Sequence, residues 1–413
     1  MNRRDFITVG AGSALTASIA SGRGLLPNVI ASSVLNVPML EKSASVRNQL
    51  DRHRFGINYT PSENWWFCWN DWNVDSIKRD LDAIAVLGAD HLRIMLAWSL
   101  FQPNQKWVSP VMLERFNQLL TLMSARGFDA LVTVFTGSVS GAYFLPTFNK
   151  PDPALYTDPE IWAAQELLIR SLAQTMKAHD NIIGFDFGNE MNLCWKADLA
   201  VGDAWMAKMF ALMHSALPGH VHVNGVDHKP WFQPGTFSPR ALAAAQLPVT
   251  HPYPFFSGAL KYGGPMDPPS THMLAALSAL VRSYAGDPQK PVWPGEFNTC
   301  IEELSEKQQA AWLETALLSA IESGTNWFSY WDSHDLNPKF KFDSLEYTLG
   351  LLTNDGKVKE RGRVFKRIAE AYRGKPVALS SQTLPPPPTE HSYDATWKWM
   401  LEYLEWKPKS IHG

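Results

Sequence analysis

Between Phe55 and Tyr372 the chain alternates short apolar runs with longer runs in which apolar residues recur at helical spacing. That alternation predicts repeated strand and helix units around a parallel sheet, because strands covered on both faces are apolar throughout while surface helices keep a polar side. Eight strands are expected, over Phe55 to Tyr59, His91 to Leu96, Ala130 to Phe135, Ile182 to Phe187, Val221 to Val226, Pro248 to His251, Val292 to Gly295 and Asn326 to Trp331. The punctuation between them agrees. Gly88, Gly127, Gly219 and Gly324 each close an apolar-periodic segment just before a strand, where glycine ends helices. Ser109-Pro110 and Asp158-Pro159 pair an N-cap with proline at the first helical position, and Ser305 to Gln308 has the form of a capping box.

Eight such units predict an α/β chain folded as a single (β/α)8 TIM barrel over residues 46–378, with its active site at the C-terminal ends of the strands. An open doubly wound sheet would also alternate, but the first strand-to-helix turn carries no Gly-rich phosphate loop. Residues 1–45 read as a leader. Arg3-Arg4 precedes a Gly/Ala/Ser-diluted apolar stretch, with no acidic residue from Phe6 through Leu40, as in a twin-arginine export signal. Its apolar part is too short to span a bilayer, so periplasmic or secreted localisation is expected, with no stable membrane span. Residues 379–413 hold a Pro385 to Pro388 spacer and an aromatic tail with Trp397, Trp399, Tyr403 and Trp406, expected to pack as a helix on the barrel.

With 45% hydrophobic and 19% charged residues, 413 residues can bury one large core. The net charge of -3 and the lack of an aromatic-interleaved basic cluster argue against nucleic acid as a partner. Cys68, Cys194 and Cys300 allow at most one disulfide and show no zinc spacing, so no metal and no cofactor are expected. Several of the 17 Trp fall in loop-like stretches such as Asn64 to Trp72, and an indole face suits the apolar face of a sugar ring.

Two apolar runs end in a carboxylate: Ile182 to Phe187 leads into Gly188-Asn189-Glu190, and Pro291 to Gly295 leads into Glu296-Phe297-Asn298. A carboxyl at a strand end is commonly a solvated end group. A pair of them on rigid scaffold matches glycoside hydrolysis, which needs one acid to protonate the leaving oxygen and one carboxylate to face the oxocarbenium-like centre.

The layout resembles clan A glycoside hydrolases, within them family five. The matching residues are Arg93 in His91 to Ile94, Asn189-Glu190, His251 and Tyr253 in Thr250 to Tyr253, Glu296, and Trp331 in Ser329 to Asp332. The resemblance implies Glu190 as acid/base and Glu296 as nucleophile, with Asn189 on the sugar 2-hydroxyl. Arg93 and Tyr253 would serve Glu296, His251 would bond near the acid, and Trp331 would floor the subsite. One departure stands out: many members carry a His after the third strand, where this chain reads Val132 to Gly137. The stretches Phe55 to Pro61, Leu96 to Asn104 and Gly188 to Asn192 are most similar to the β-mannosidase branch, subfamily eighteen, and add Asn58 and Trp98 to the expected substrate-binding set.

The resemblance implies a retaining exo-β-mannosidase acting on an oligosaccharide substrate, either mannosyl-β-1,4-N-acetylglucosamine or manno-oligosaccharides. Exo action needs one end of the cleft closed, a task suited to the aromatic-rich segments 62–73 and 137–156. An endo-β-1,4-mannanase or endoglucanase, a transglycosylase, and a non-catalytic glycan-binding barrel stay open at this point.

Overall fold

Four of the apolar runs form parallel strands buried on both faces, Arg54–Asn58, His91–Ala97, Asp129–Thr136 and Ile182–Asp186, in a computed structural model that describes residues 50–342, 344–378 and 383–407. The expected leader over 1–45 lies outside the described residues. A five-stranded sheet runs in the order Ile182–Asp186, Asp129–Thr136, His91–Ala97, Arg54–Asn58, Trp327–Tyr330. Gly56 pairs with His91 on one side and with Ser329 on the other, which sets Asn58 opposite Arg93.

The rest of the circle is built from shorter staves. Val249–Thr250 and Trp293–Pro294 form a parallel pair. The expected strand over 221–226 meets Ile182–Asp186 through a bridge between Asp186 and Val223, backed by bonds from the Val221 N–H to the Ile183 carbonyl at 3.0 Å and the Val223 N–H to the Phe185 carbonyl at 2.8 Å. Its regular ladder stops there because side chains take over: the Asn224 Oδ1 accepts from the Val249 N–H at 3.1 Å. Asn326 likewise joins the Trp293 and Trp327 staves, its Oδ1 accepting from the Val292 N–H at 3.2 Å. The result is a closed eight-stave barrel. Gly184 permits the closure, since a Cβ there would lie 1.9 Å from the Val221 carbonyl oxygen.

The helices begin and end where the sequence places their caps. Ser109 caps Pro110–Ser124 and Asp158 caps Pro159–Met176, each through its side chain, and Ser305 and Gln308 form a complete capping box on Glu306–Glu322. Gly88, Gly127, Gly219 and Gly324 all have positive φ, between 75° and 79°. Between the fifth and sixth staves the expected helix gives way to two short ones, Lys229–Phe232 and Pro239–Ala244. All three cysteines are free thiols. No described helix is long and apolar enough to cross a membrane.

The tail packs back on the barrel. Its helix, Tyr393–Tyr403, buries Trp397, whose indole N–H donates to the Ser257 carbonyl at 2.9 Å. The proline spacer is pinned as well, with Pro385 accepting from the Ser283 hydroxyl at 2.7 Å and Pro386 from the Trp399 indole at 2.8 Å.

Candidate active site

The second strand delivers a fully buried guanidinium into the barrel mouth. Arg93 donates through Nε and Nη2 to Asp186 at 2.9 and 2.7 Å, through Nη2 to Asn189 at 3.0 Å, and through Nη1 to Asn58 at 3.0 Å and to Glu296. A buried arginine is tolerable only when each face of its fork is paired, and here two carboxylates and two amides do that. The counter-ion Asp186 is held in turn by the Thr133 hydroxyl at 2.9 Å and the Gly225 N–H at 2.7 Å.

Glu296 follows the Trp293–Pro294 stave and is 3% exposed, which leaves it dependent on protein donors. Tyr253 donates its phenol to Glu296 Oε2 at 2.9 Å, and His251 Nδ1 lies 3.5 Å from the same oxygen. Burial pushes the Glu296 carboxyl up, while His251, Arg93 and the Tyr253 hydroxyl pull it back and the neighbouring Glu190 raises it further. The net direction is upward, so Arg93 and Tyr253 moderate the cost of burial without lowering the pKa below the ordinary carboxylate range.

Glu190 sits beyond the fourth stave with φ 44° and ψ 42°, a left-handed conformation that costs a side-chain-bearing residue free energy and occurs often at functional sites. Its N–H donates to the Gly225 carbonyl at 2.7 Å. Its Oε1 is 2.8 Å from His251 Nδ1. Burial, followed by the charge of Asp227, pushes the Glu190 carboxyl up to about 8, against the pull of Arg93 and Lys229. Burial lowers the His251 pKa and so favours the neutral ring.

One oxygen of Glu190, one nitrogen of His251 and one oxygen of Glu296 all lie within 4.8 Å of one another. Carboxyls at about 5 Å leave room for a sugar carbon but not for an intervening water, the spacing of retaining glycosidases. These three form the one cluster of metal-ligand type among the described residues, and the guanidinium bonded to Glu296 opposes a cation there.

The structure gathers most of the expected site residues and separates one. Arg93, Asn189, Glu190, His251, Tyr253 and Glu296 are linked as above. Asn189 also donates to the Ser138 carbonyl at 2.9 Å. Trp331 lies over the same mouth with its carbonyl held by Asn298 at 2.6 Å. Asn58 is 1% exposed and uses its amide nitrogen on the Gly295 carbonyl at 2.9 Å, so it braces Arg93 and Glu296 from below and presents no free group to a sugar. Trp98 is a correction. It is fully enclosed against Phe135 and Trp195, with its indole N–H bonded to Gln102 at 2.9 Å, and has no face left for a ligand. Just after the third strand, Gly137 abuts the Trp195 ring, which a Cβ would approach to 2.2 Å.

Residues missing from the expected set are Asp186, Asp227, Asn298 and Trp66. The first two carried a readable signal: an acid inside or just beyond an apolar stave is the same pattern that picks out Glu190.

Three loops meet over one side of the mouth. Trp65 packs on Phe342 and Phe340 at ring distances of 4.9 and 5.6 Å, Phe67 on Phe144 at 6.2 Å, and Trp66 on Trp331 at 6.0 Å. The two segments expected to close the cleft, 62–73 and 137–156, thus touch each other and a third segment after the eighth stave.

A scan of family models and a search of curated proteins give no match to this chain. Solved structures do match. A glutamate-to-alanine variant of a glycoside hydrolase of family five, subfamily eighteen, from Streptomyces cattleya, in complex with Manβ1-4GlcNAc, has a TM-score of 0.75 at 28% identity, over 82% of this chain and 83% of that one. A member of the same subfamily from Bifidobacterium longum subsp. infantis has a TM-score of 0.75 at 28% identity, over 79% and 80%. This chain is a glycoside hydrolase, similar to those of family five, subfamily eighteen. An exo-β-1,4-mannosidase from Opitutaceae bacterium strain TAV5 shares the enzyme's fold at 24% identity, with a TM-score of 0.71 over 79% of this chain and 62% of that one.

Proposed function

We propose that the enzyme is a retaining exo-β-mannosidase that hydrolyses β-1,4-mannosides such as Manβ1-4GlcNAc or manno-oligosaccharides. The observation that carries this reading is the Glu190, His251 and Glu296 cluster within 4.8 Å, in a chain similar to a subfamily eighteen enzyme solved with Manβ1-4GlcNAc. In the first step the Glu296 carboxylate attacks the anomeric carbon and the glycosidic C–O bond breaks. Glu190 gives its proton to the departing oxygen. In the second step Glu190, now ionised, takes a proton from water, whose oxygen displaces Glu296 and restores it. Asn189, oriented by Arg93 and Ser138, holds the 2-hydroxyl, and Trp331 supports the ring of the cleaved sugar.

Exo action is supported by the contact between the segments 62–73 and 137–156, whose aromatic rings pack on one another and on the segment after the eighth stave. Export through the Arg3-Arg4 leader, to the periplasm or the medium, completes the proposal and suits an enzyme that meets glycans outside the cell.

The test is time-resolved chromatography of products from Manβ1-4GlcNAc, manno-oligosaccharides and cello-oligosaccharides, with NMR of the first-formed anomer. Single mannose units from the start, released as the β-anomer, are expected. Mixed oligosaccharides would replace exo with endo action, and no product from any mannoside would overturn the substrate assignment.

A further inference from the structure

Glu190 owes its placement to a segment that the double displacement itself does not use. Asp227 ends the fifth stave and is 2% exposed. Its Oδ1 accepts from Asn192 Nδ2 at 2.5 Å while its own N–H donates to Asn192 Oδ1 at 3.2 Å. That reciprocal pair grips the turn two residues beyond Glu190. Two residues before Asp227, the Gly225 carbonyl accepts the Glu190 N–H at 2.7 Å. The left-handed acid is therefore held on both sides by one short segment, which must bring glycine to the contact, since a Cβ on Gly225 would lie 2.5 Å from the Asp186 carboxylate and from the Gly188 carbonyl.

The same segment brings a second charge to the acid. Asp227 Oδ1 is further bonded by the Lys229 N–H at 2.9 Å. Among the described residues its ion-pair partner is His228, whose Nδ1 is 4.0 Å away and whose pKa burial lowers. His228 in turn meets the Tyr393 hydroxyl of the tail helix at 3.0 Å, which fixes the segment from outside.

We propose that Asp227 is the positioning residue of the acid: clipped to Asn192, it fixes the turn that carries Glu190 and places a second carboxylate on the segment that holds that turn. This rests on the reading of Glu190 as the acid. The other titratable groups facing Glu190 are His251, Glu296, Tyr253 and Arg93 from neighbouring staves, Cys194 from its own turn, and Lys229 beside Asp227. Of these, Arg93 and Lys229 oppose Asp227, and the Cys194 thiol, pushed up to about 12, stays uncharged.

Asp227→Asn keeps an oxygen for Asn192 and removes the charge. The basic limb of the kcat/KM profile for Manβ1-4GlcNAc is expected to move to lower pH by about 1 unit, with a smaller change for an activated aryl β-mannoside, which needs little proton donation. Asn192→Ala, which breaks the clip and keeps the charge, should lower kcat with the limb nearly in place. An evenly reduced kcat with an unmoved limb in Asp227→Asn would reduce Asp227 to a structural role and overturn the proposal. Carboxyl 13C NMR, with Glu190 assigned through Glu190→Gln, reads the same shift without substrate. A lowered Glu190 titration in a protein inactive on every mannoside would therefore sink the mannosidase reading and leave this one intact, whereas an unshifted titration sinks this one. Should the asparagine variant not fold, Asp227→Ser serves in both measurements.

Discussion

Glu190 and Glu296 end two similar apolar runs, yet their surroundings differ in kind. Glu296 is met by two donors, the Arg93 guanidinium and the Tyr253 hydroxyl, with His251 Nδ1 3.5 Å away. Glu190 is met by one imidazole and by the charge of Asp227, and its backbone is turned into the left-handed region. Donors stabilise a carboxylate, whereas burial beside another acid stabilises a carboxylic acid, so one residue type can serve two opposite roles. Division of labour here is a property of neighbours.

The sharpest way to break this comparison is to remove each acid in turn. Glu296→Ala is expected to abolish turnover on every mannoside, by at least ~10⁴-fold, because no second group can form the glycosyl intermediate. Glu190→Ala is expected to cost roughly 10²- to 10⁴-fold on Manβ1-4GlcNAc but far less on an aryl mannoside with a good leaving group. Equal losses on both substrates, measured as kcat/KM, would mean that Glu190 is not the proton donor.

Smaller changes sharpen it. Tyr253→Phe removes a hydrogen bond to a buried charge and should cost about tenfold to a hundredfold in kcat/KM. It should also move the acidic limb upward, because the lost donor no longer offsets burial of Glu296. In the unaltered enzyme, activity on poor leaving groups requires Glu190 protonated, so it should persist up to about pH 8 and fall as pH rises through that value. On the acidic side it should fall as Glu296 takes up a proton, at a pH above the ordinary carboxylate value. A stopped-flow pH series on one aryl and one disaccharide substrate separates the two limbs.

The sequence was most legible where local chemistry decides the outcome. Ser109, Asp158 and Ser305 cap the helices they precede, and the four glycines that close helices adopt the positive φ that favours glycine. Arg93 lies inside the second stave, whereas Glu190, His251, Tyr253 and Glu296 follow apolar staves, a pattern legible in the sequence alone. Trp98 went astray for a physical reason: its stretch follows the family pattern, but whether an indole faces a cavity or the packing depends on Phe135 and Trp195, which come from elsewhere in the chain. The fifth stave, expected as a full strand over Val221 to Val226, pairs through its backbone as far as Val223, after which the Asn224 side chain takes over.

By itself, then, the sequence determined the alternation of strand and helix, the caps, and two carboxylates at stave ends, since these follow from periodicity and from contacts within a few residues. Tertiary structure alone decided which groups surround each acid, which aromatic rings wall the cleft, and how Asp227 comes to be clipped to the turn that carries Glu190. Those outcomes depend on distances between residues far apart in the chain, and electrostatic and packing energies are set by such distances.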